Sequence, residues 1–279
     1  MAFAPVIPLS GVAGWLLLTR VEDTQRATFE KSPDIEREAA YFAEHVGEAT
    51  TAADLVADRR LLNVALTAFG LESEIDKRAF IRKALESDTL DPRSFAVKLV
   101  DESYEKLARA FGYGDITGIR VNDPGFAGSI VAAFKERSFD TAVGESDASL
   151  RLALNARREL AVYAERAQAA KNPASVWFSV MGDLPLREVF QTAYGLPGSF
   201  SQIDIDRQRE VLQDKTRELF GDASPEVFAD PDNVEKLIRR YLARDAANQS
   251  ASTATSGAAA LSLLQQAGAS FASLVQSRF

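Results

Sequence analysis

Six times along this chain an Asn, Asp or Ser is followed directly by Pro: Ser32-Pro33, Asp91-Pro92, Asp123-Pro124, Asn172-Pro173, Ser224-Pro225 and Asp230-Pro231. No other feature restricts the fold so strongly. A side-chain oxygen at the N-cap accepts from the free N–H groups of a first helical turn, and Pro at the next position gives up an N–H that had no partner. Acids soon after, such as Asp34, Glu36 and Glu226, suit the positive end of the helix dipole. Any one pair would also suit a simple turn; together they predict helices.

The apolar spacing between these starts is helical. Phe95, Leu99, Tyr104, Leu107, Ala108 and Phe111 fall mostly on one stripe, as do Leu150, Leu154, Leu160, Tyr163 and Ala164, and again Val234, Leu237, Ile238, Tyr241 and Leu242. The nearest approach to β-alternation, Ile116 to Val121, is broken by Gly118 and reads as a loop. The chain is therefore expected to be all-α, with about a dozen helices and essentially no sheet.

Two stretches match internally. Val64-Ala-Leu-Thr-Ala-Phe-Gly-Leu71 and Val189-Phe-Gln-Thr-Ala-Tyr-Gly-Leu196 agree at Val, Thr, Ala, Gly and Leu. Around them Phe42-Ala-Glu44 parallels Tyr163-Ala-Glu165, Asp58 and Leu61 parallel Asp183 and Leu186, Phe95 parallels Phe228, and Leu107 parallels Leu237. Gly70 and Gly195 stand where a left-handed C-cap residue belongs, each with a Leu to pack back on its helix. Ordered agreement of this kind predicts a duplicated helical unit. The expected organisation is an N-terminal amphipathic helix in 1–30, a first repeat in 31–120 and a second in 121–245. A flexible linker follows in 246–257, rich in Ala, Ser and Thr, then a C-terminal helix in 258–279.

Composition removes whole classes of chemistry. With no cysteine and one histidine, His45, the chain has no thiolate site, no cysteine nucleophile and no His-rich metal centre. A net charge of -8 and a pI near 4.9 oppose binding to a polyanion, so no nucleic-acid partner is expected. The apolar run from Val12 to Leu18 falls short of the roughly 20 residues of a membrane span, and the N-terminus lacks the basic start of a cleavable signal. A cytoplasmic location is expected.

The remaining candidates each have a simpler reading. His45 ends a predicted helix. Asp204-Ile-Asp206 and Asp230-Pro-Asp232 lack the spacing of a calcium loop and read as caps. Gly112-Tyr-Gly-Asp-Ile-Thr-Gly118 follows no strand and carries no Lys-Ser/Thr ending, so it reads as a loop rather than a phosphate cradle. Glu102 and Glu105 are expected on a solvent-facing helix, and Trp15 and Trp177 in packing. No catalytic residue, metal or cofactor is expected.

Several runs resemble a known family. Glu38-Ala-Ala-Tyr41-Phe, Asp54-Leu-Val-Ala-Asp58-Arg-Arg-Leu, Ala68-Phe-Gly-Leu71-Glu, Phe80-Ile-Arg82-Lys-Ala-Leu85, Ser94-Phe-Ala96 and Asp101-Glu-Ser-Tyr104 are similar to the bacterial domain-of-unknown-function family 1217. So are Asp204-Ile-Asp206-Arg-Gln208 and Phe228-Ala-Asp-Pro231, over roughly residues 30–245 in all. The family has no defined site residues. Its members are often encoded beside flagellar genes, which implies a flagellum-associated role. The expectation is a non-enzymatic structural or assembly protein whose partners are flagellar components or further copies of itself. An export chaperone or adaptor is the alternative, and an enzyme of unknown type a third. Candidate interface residues are Val12, Trp15 and Leu16 near the N-terminus and Leu261, Leu264, Phe271 and Val275 near the C-terminus.

Overall fold

The computed structural model describes residues 4–251, and among these there are twelve α-helices and no strand. The helices are α1 (Gly11–Glu30), α2 (Pro33–His45), α3 (Ala52–Ala57), α4 (Arg59–Ala68), α5 (Arg78–Leu85), α6 (Ser103–Phe111), α7 (Phe126–Ser146), α8 (Ala148–Ala169), α9 (Val176–Gly182), α10 (Leu184–Tyr194), α11 (Ile205–Phe220) and α12 (231–251). Of the Pro-marked starts, Pro33 and Pro231 open α-helices, while Pro173 and Pro225 open 3-10 turns. Pro92 and Pro124 lie in turns, Pro124 just ahead of α7. The first six residues of the expected linker, 246–251, are helical because Ala, Asn and Gln there extend α12. The rest of that linker and the C-terminal residues Leu261, Leu264, Phe271 and Val275 lie outside the described residues.

Apolar burial is concentrated in two large cores, with a small third cluster at Ala84, Ala96 and Ala108. The first gathers Phe42, Leu55, Leu62, Leu66, Ile81, Phe111, Phe126, Ile130 and Phe134, from α2 to the first half of α7. The second gathers Trp15, Leu18 and Phe29 of α1 with Phe139 and Val143 of α7, the inner face of α8, and residues of α9 to α12. α7 serves both. Phe126, Ile130 and Phe134 form one i, i+4 stripe, but Phe139 comes five residues after Phe134, a rotation of about 140° at 3.6 residues per turn. The apolar face therefore passes to the opposite side of an unbroken helix. This corrects the expected boundary at 120/121: residues 121–134 belong to the first core, and the division falls inside α7. It also corrects the separate unit 1–30, since α1 is part of the second core.

Two segments share one local design. α3 ends and α4 begins at Asp58, whose carboxylate accepts from the N–H groups of Arg60 and Leu61. α9 ends and α10 begins at Asp183, whose carboxylate accepts from Leu186 N–H. Backbone angles agree, φ -89° and ψ 107° at Asp58 against φ -84° and ψ 99° at Asp183. α4 and α10 then run out through Gly70 (φ +75°) and Gly195 (φ +66°). Leu71 N–H bonds Leu66 C=O, and Leu196 N–H bonds Gln191 C=O, each at 2.9 Å. These closures satisfy carbonyls that a helix end leaves open. Tyr41 donates to Asp58 at 2.7 Å and Tyr163 to Asp183 at 3.5 Å. Tyr41 thus meets the corner Asp58 as Tyr163 meets the corner Asp183.

Candidate functional site

The feature that sets this interior apart is a band of buried charge where the two cores meet. α7 hands its apolar face from one core to the other through Glu136, Arg137 and Asp140, so polar side chains point into the junction. α8 runs beside it with Asn155, Arg158 and Glu159 interleaved among the buried apolar residues of its inner face. Glu159 is the hub. It accepts from Arg137 Nη2 at 2.8 Å, from Lys106 Nζ of α6 at 3.3 Å and from Arg158 Nε at 3.5 Å. Arg158 also donates Nη1 to Asp140 at 2.6 Å and Nη2 to Asn155 Oδ1 at 2.9 Å. Lys106 lies 3.9 Å from Asp183, which ties α6 of the first core to the α9–α10 corner of the second.

Burial and pairing oppose each other here. Burial pushes the Glu159 carboxyl up, but Lys106, Arg137 and Arg158 outweigh it and hold the group below the usual carboxylate range. Burial prevails at Asp140, raised although Arg158 pulls it down. At Asp183 burial, reinforced by the nearby Glu159, likewise raises it. Burial pushes the Tyr163 hydroxyl upward too, helped by Asp183, Glu102 and Glu159. A second cluster fastens α1: Glu22 accepts from Arg157 of α8 at 2.6 and 2.7 Å and from Arg26 at 2.8 Å. There too burial raises the carboxyl, and the two arginines outweigh it.

A cavity of about 300 Å³ opens beside the band, lined by Gly70, Arg137, Arg151, Asn155, Arg158 and Glu188 among others. Its guanidiniums are engaged: Arg137 with Glu159, Arg158 with Asp140, and Arg151 with Glu72. Gly70 is required at this wall for two reasons. Its φ is left-handed, and a Cβ there would stand 2.8 Å from Arg137 Nη1. Chemically the arrangement is an electrostatic tie: each acid that reaches the centre meets a cation held by another helix.

The sequence-derived candidates are distributed as follows. Trp15 is fully buried in the second core and donates Nε1–H to Glu235 of α12 at 2.9 Å, so it is packed within its own chain and is not an exposed contact. Val12 is partly buried against the same core, and Leu16 is exposed. His45 closes α2, its ring stacked on Tyr41 at 4.1 Å with Nδ1 2.9 Å from Tyr41 C=O. Asp204 and Asp230 accept from backbone N–H groups two residues on, as helix caps do. Glu102 departs from its expected solvent-facing place: it lies 3.6 Å from Arg166 and within reach of Tyr163, at the edge of the charged band. Gly112 caps α6 in the left-handed region. Lys106, Arg137, Asp140, Arg158 and Glu159 were missed as a group. The available signal was the placement of Asn155 and Glu159, one helical turn apart, between Leu154 and Leu160.

Among the described residues no helix is long and apolar enough to cross a membrane, and no group of three His, Cys, Asp or Glu is placed to hold a metal. The model of the family described as "Protein of unknown function (DUF1217)" matches residues 68–234, and the chain belongs to that family. The match begins at the end of α4 and reaches the first turn of α12, so it takes in part of each core and the band between them. An X-ray crystal structure of protein AGR_C_984 from Agrobacterium tumefaciens has a similar fold, with a TM-score of 0.67 and 25% identity over 86% of this chain and 97% of that one. No curated protein matches the chain.

Proposed function

We propose that this protein is a non-enzymatic structural or assembly component associated with the bacterial flagellum, working through helical protein–protein contacts. The observation that carries the non-enzymatic part is the use made of the buried charges. Lys106, Arg137, Arg158, Asp140 and Glu159 are engaged with one another across three helices, α6, α7 and α8. A reacting group would need to be poised toward a substrate instead. The flagellar part rests on the resemblance to a family often encoded beside flagellar genes. We also propose that the two halves descend from one duplicated unit, for which the matched corners at Asp58 and Asp183 and the matched glycine caps are the support.

The test is a clean gene deletion scored for swimming and for filament assembly, with an affinity-tagged chain used to recover partners. Loss of assembly, with flagellar proteins co-purifying, is expected. A deletion strain with normal filaments and normal motility refutes the flagellar reading.

A further inference from the structure

The glycine-rich stretch from Gly112 to Gly118 carries the most exposed large apolar side chain among the described residues, Ile116, at 89%. Ile116 stands in a turn closed by Gly118 N–H to Asp115 C=O at 3.0 Å, where Pro, Gly, Asn, Asp or Ser is usual. The loop 86–91 is fastened to this turn. Thr89 donates its N–H and its hydroxyl to the buried Asp115 carboxylate at 2.7 and 2.9 Å, and a Cβ on Gly114 would stand 2.4 Å from Glu86 C=O. The residue after Thr89 is Leu90, itself 63% exposed. The acids here are turned back onto the backbone, Asp88 accepting from Leu90 N–H and Asp91 from Arg93 N–H, each at 2.9 Å. Arg93 leans on Asp91 at 3.3 Å yet keeps 84% of its side chain in solvent, and Arg120, 3.9 Å from Asp115, is half-exposed. The first core thus presents a small, rigid apolar projection with a basic edge.

The second core presents its counterpart. A groove of about 620 Å³ lies between the outer face of α8, at Ala161, Glu165 and Gln168, and the start of α12, at Pro231, Asp232 and Val234. Its floor is small or apolar, with Ala161 and Pro231 exposed and the edges of Phe228 and Val234 beneath. Arg157 at its wall is engaged with Glu22, and Glu235 with Trp15 and Arg239. Glu165 and Asp232 enter no ion pair among the described residues, so the free charge of the rim is acidic.

We infer that the groove of one molecule receives Ile116 and Leu90 of a second copy, with Arg93 and Arg120 of that copy facing Glu165 and Asp232. Projection and groove belong to different cores, so the contact is heterologous: every molecule offers both surfaces, and copies join head to tail. Opposite charge at the two surfaces selects this arrangement in a protein whose net charge of -8 otherwise repels its own copies. A symmetric contact would instead set projection against projection and bring Arg93 towards its own equivalent. The ties between Thr89 and Asp115 hold the projection in place beforehand, so docking costs little ordering. The contact is small, of the size that weak and transient complexes use, and is best read by trapping it. The inference rests on the proposed working through protein–protein contacts and not on the flagellar assignment.

The absence of cysteine makes the test direct, since introduced thiols are unique. Thr117 and Gln168 are both exposed, the first beside Ile116 and the second on the groove wall. Full-length Thr117→Cys and Gln168→Cys proteins, one enlarged by a tag, are mixed and mildly oxidised, and the disulfide-linked dimers are separated by size. The mixed dimer should form at least ten times faster than either homodimer. It should also form at least ten times faster than the mixed dimer of Asp76→Cys with Gln168→Cys, whose first thiol is exposed in the loop before α5, outside the projection. Adding Ile116→Asp to the Thr117→Cys chain should slow mixed-dimer formation at least tenfold with an unchanged circular dichroism spectrum. Thr117→Cys homodimers that form as fast as mixed dimers would overturn the inference in favour of a symmetric contact. A Gln168→Cys thiol that resists a small maleimide would overturn it by showing a groove already filled within the molecule. Mixed dimers no faster than the Asp76→Cys control would overturn it outright. Purified protein suffices, so failure here leaves the motility test standing, and failure there leaves this one.

Discussion

Gly70, Gly195 and Gly221 together offer a measurement of how much the charged band contributes. All three end helices in the left-handed region, at φ +75°, +66° and +89°. A Cβ on Gly221 would meet nothing within 4 Å, so Gly221→Ala costs only the backbone strain, about 1–2 kcal/mol. A Cβ on Gly195 would press on Arg244, which is exposed and free to swing aside, so Gly195→Ala should cost about the same. Gly70→Ala is different. Its Cβ would stand 2.8 Å from Arg137 Nη1, and Arg137 is held by its 2.8 Å bond to buried Glu159. Pushing the guanidinium away leaves Glu159 short of a partner. Removing one member of a buried pair costs about 3–5 kcal/mol, and partial displacement should add about 2–3 kcal/mol to the strain. Urea unfolding of the three variants, followed by circular dichroism and extrapolated linearly, reads the differences. Gly70→Ala within about 0.5 kcal/mol of Gly221→Ala would refute the idea that this ion pair holds the cores together. So would an unchanged gap in an Arg137→Ala background, where no guanidinium remains to be displaced.

Trp15→Phe, which keeps most of the ring but loses the 2.9 Å bond to Glu235, should cost about 1 kcal/mol, against about 3–5 kcal/mol for Trp15→Ala, both by urea unfolding. Asp58→Ala and Asp183→Ala each remove the cap of a matched corner, and each should cost at least about 1–2 kcal/mol in the same assay. Glu159, held below its ordinary value of 4.5, contributes stability above that pH and loses it as pH falls through the lowered value. The deficit of Glu159→Gln, about 2–4 kcal/mol at pH 7, should therefore shrink below pH 4.5. Asp140 has the opposite sign. Raised above 3.8, it contributes most below that pH and progressively less as pH rises through its raised value, so the deficit of Asp140→Asn should narrow on raising pH.

The parts of this fold legible in the sequence were those decided by local chemistry. Gly70 and Gly195 announced their caps because a left-handed residue followed by Leu has few other uses, whereas Asp58 and Asp183 stood out only as matched positions and their capping role came from the structure. Pro92 and Pro124 misled for the same reason in reverse: a Pro after Asp fixes a turn equally well, and tertiary packing decides whether a helix follows. The division between the cores was hidden because it has no loop. It lies in the five-residue step from Phe134 to Phe139, where an i, i+4 stripe restarts on the other side of the helix, and a search for Gly, Pro or polar stretches passes over it.

The same step explains why the charged band was not legible and why it lies where it does. A helix that turns its apolar face through about 140° must pass through positions that belong to neither core, and in α7 those are Glu136 and Arg137, with Asp140 close after. Asp140 is buried there and Arg137 largely so, because α8 packs over the junction, while Glu136 keeps part of its side chain in solvent. Polar groups at such a crossing are tolerated only if each finds a partner of opposite charge from another helix. Glu159 supplies the partner of Arg137 from 22 residues on and Arg158 that of Asp140 from 18 residues on, while Lys106 joins the band from α6 by pairing with Glu159, and no spacing rule joins positions so far apart. The band is therefore a consequence of sharing one helix between two cores. Lys106 of α6 is the cation that crosses from the first core, and parting the halves would take it from Glu159 and Asp183.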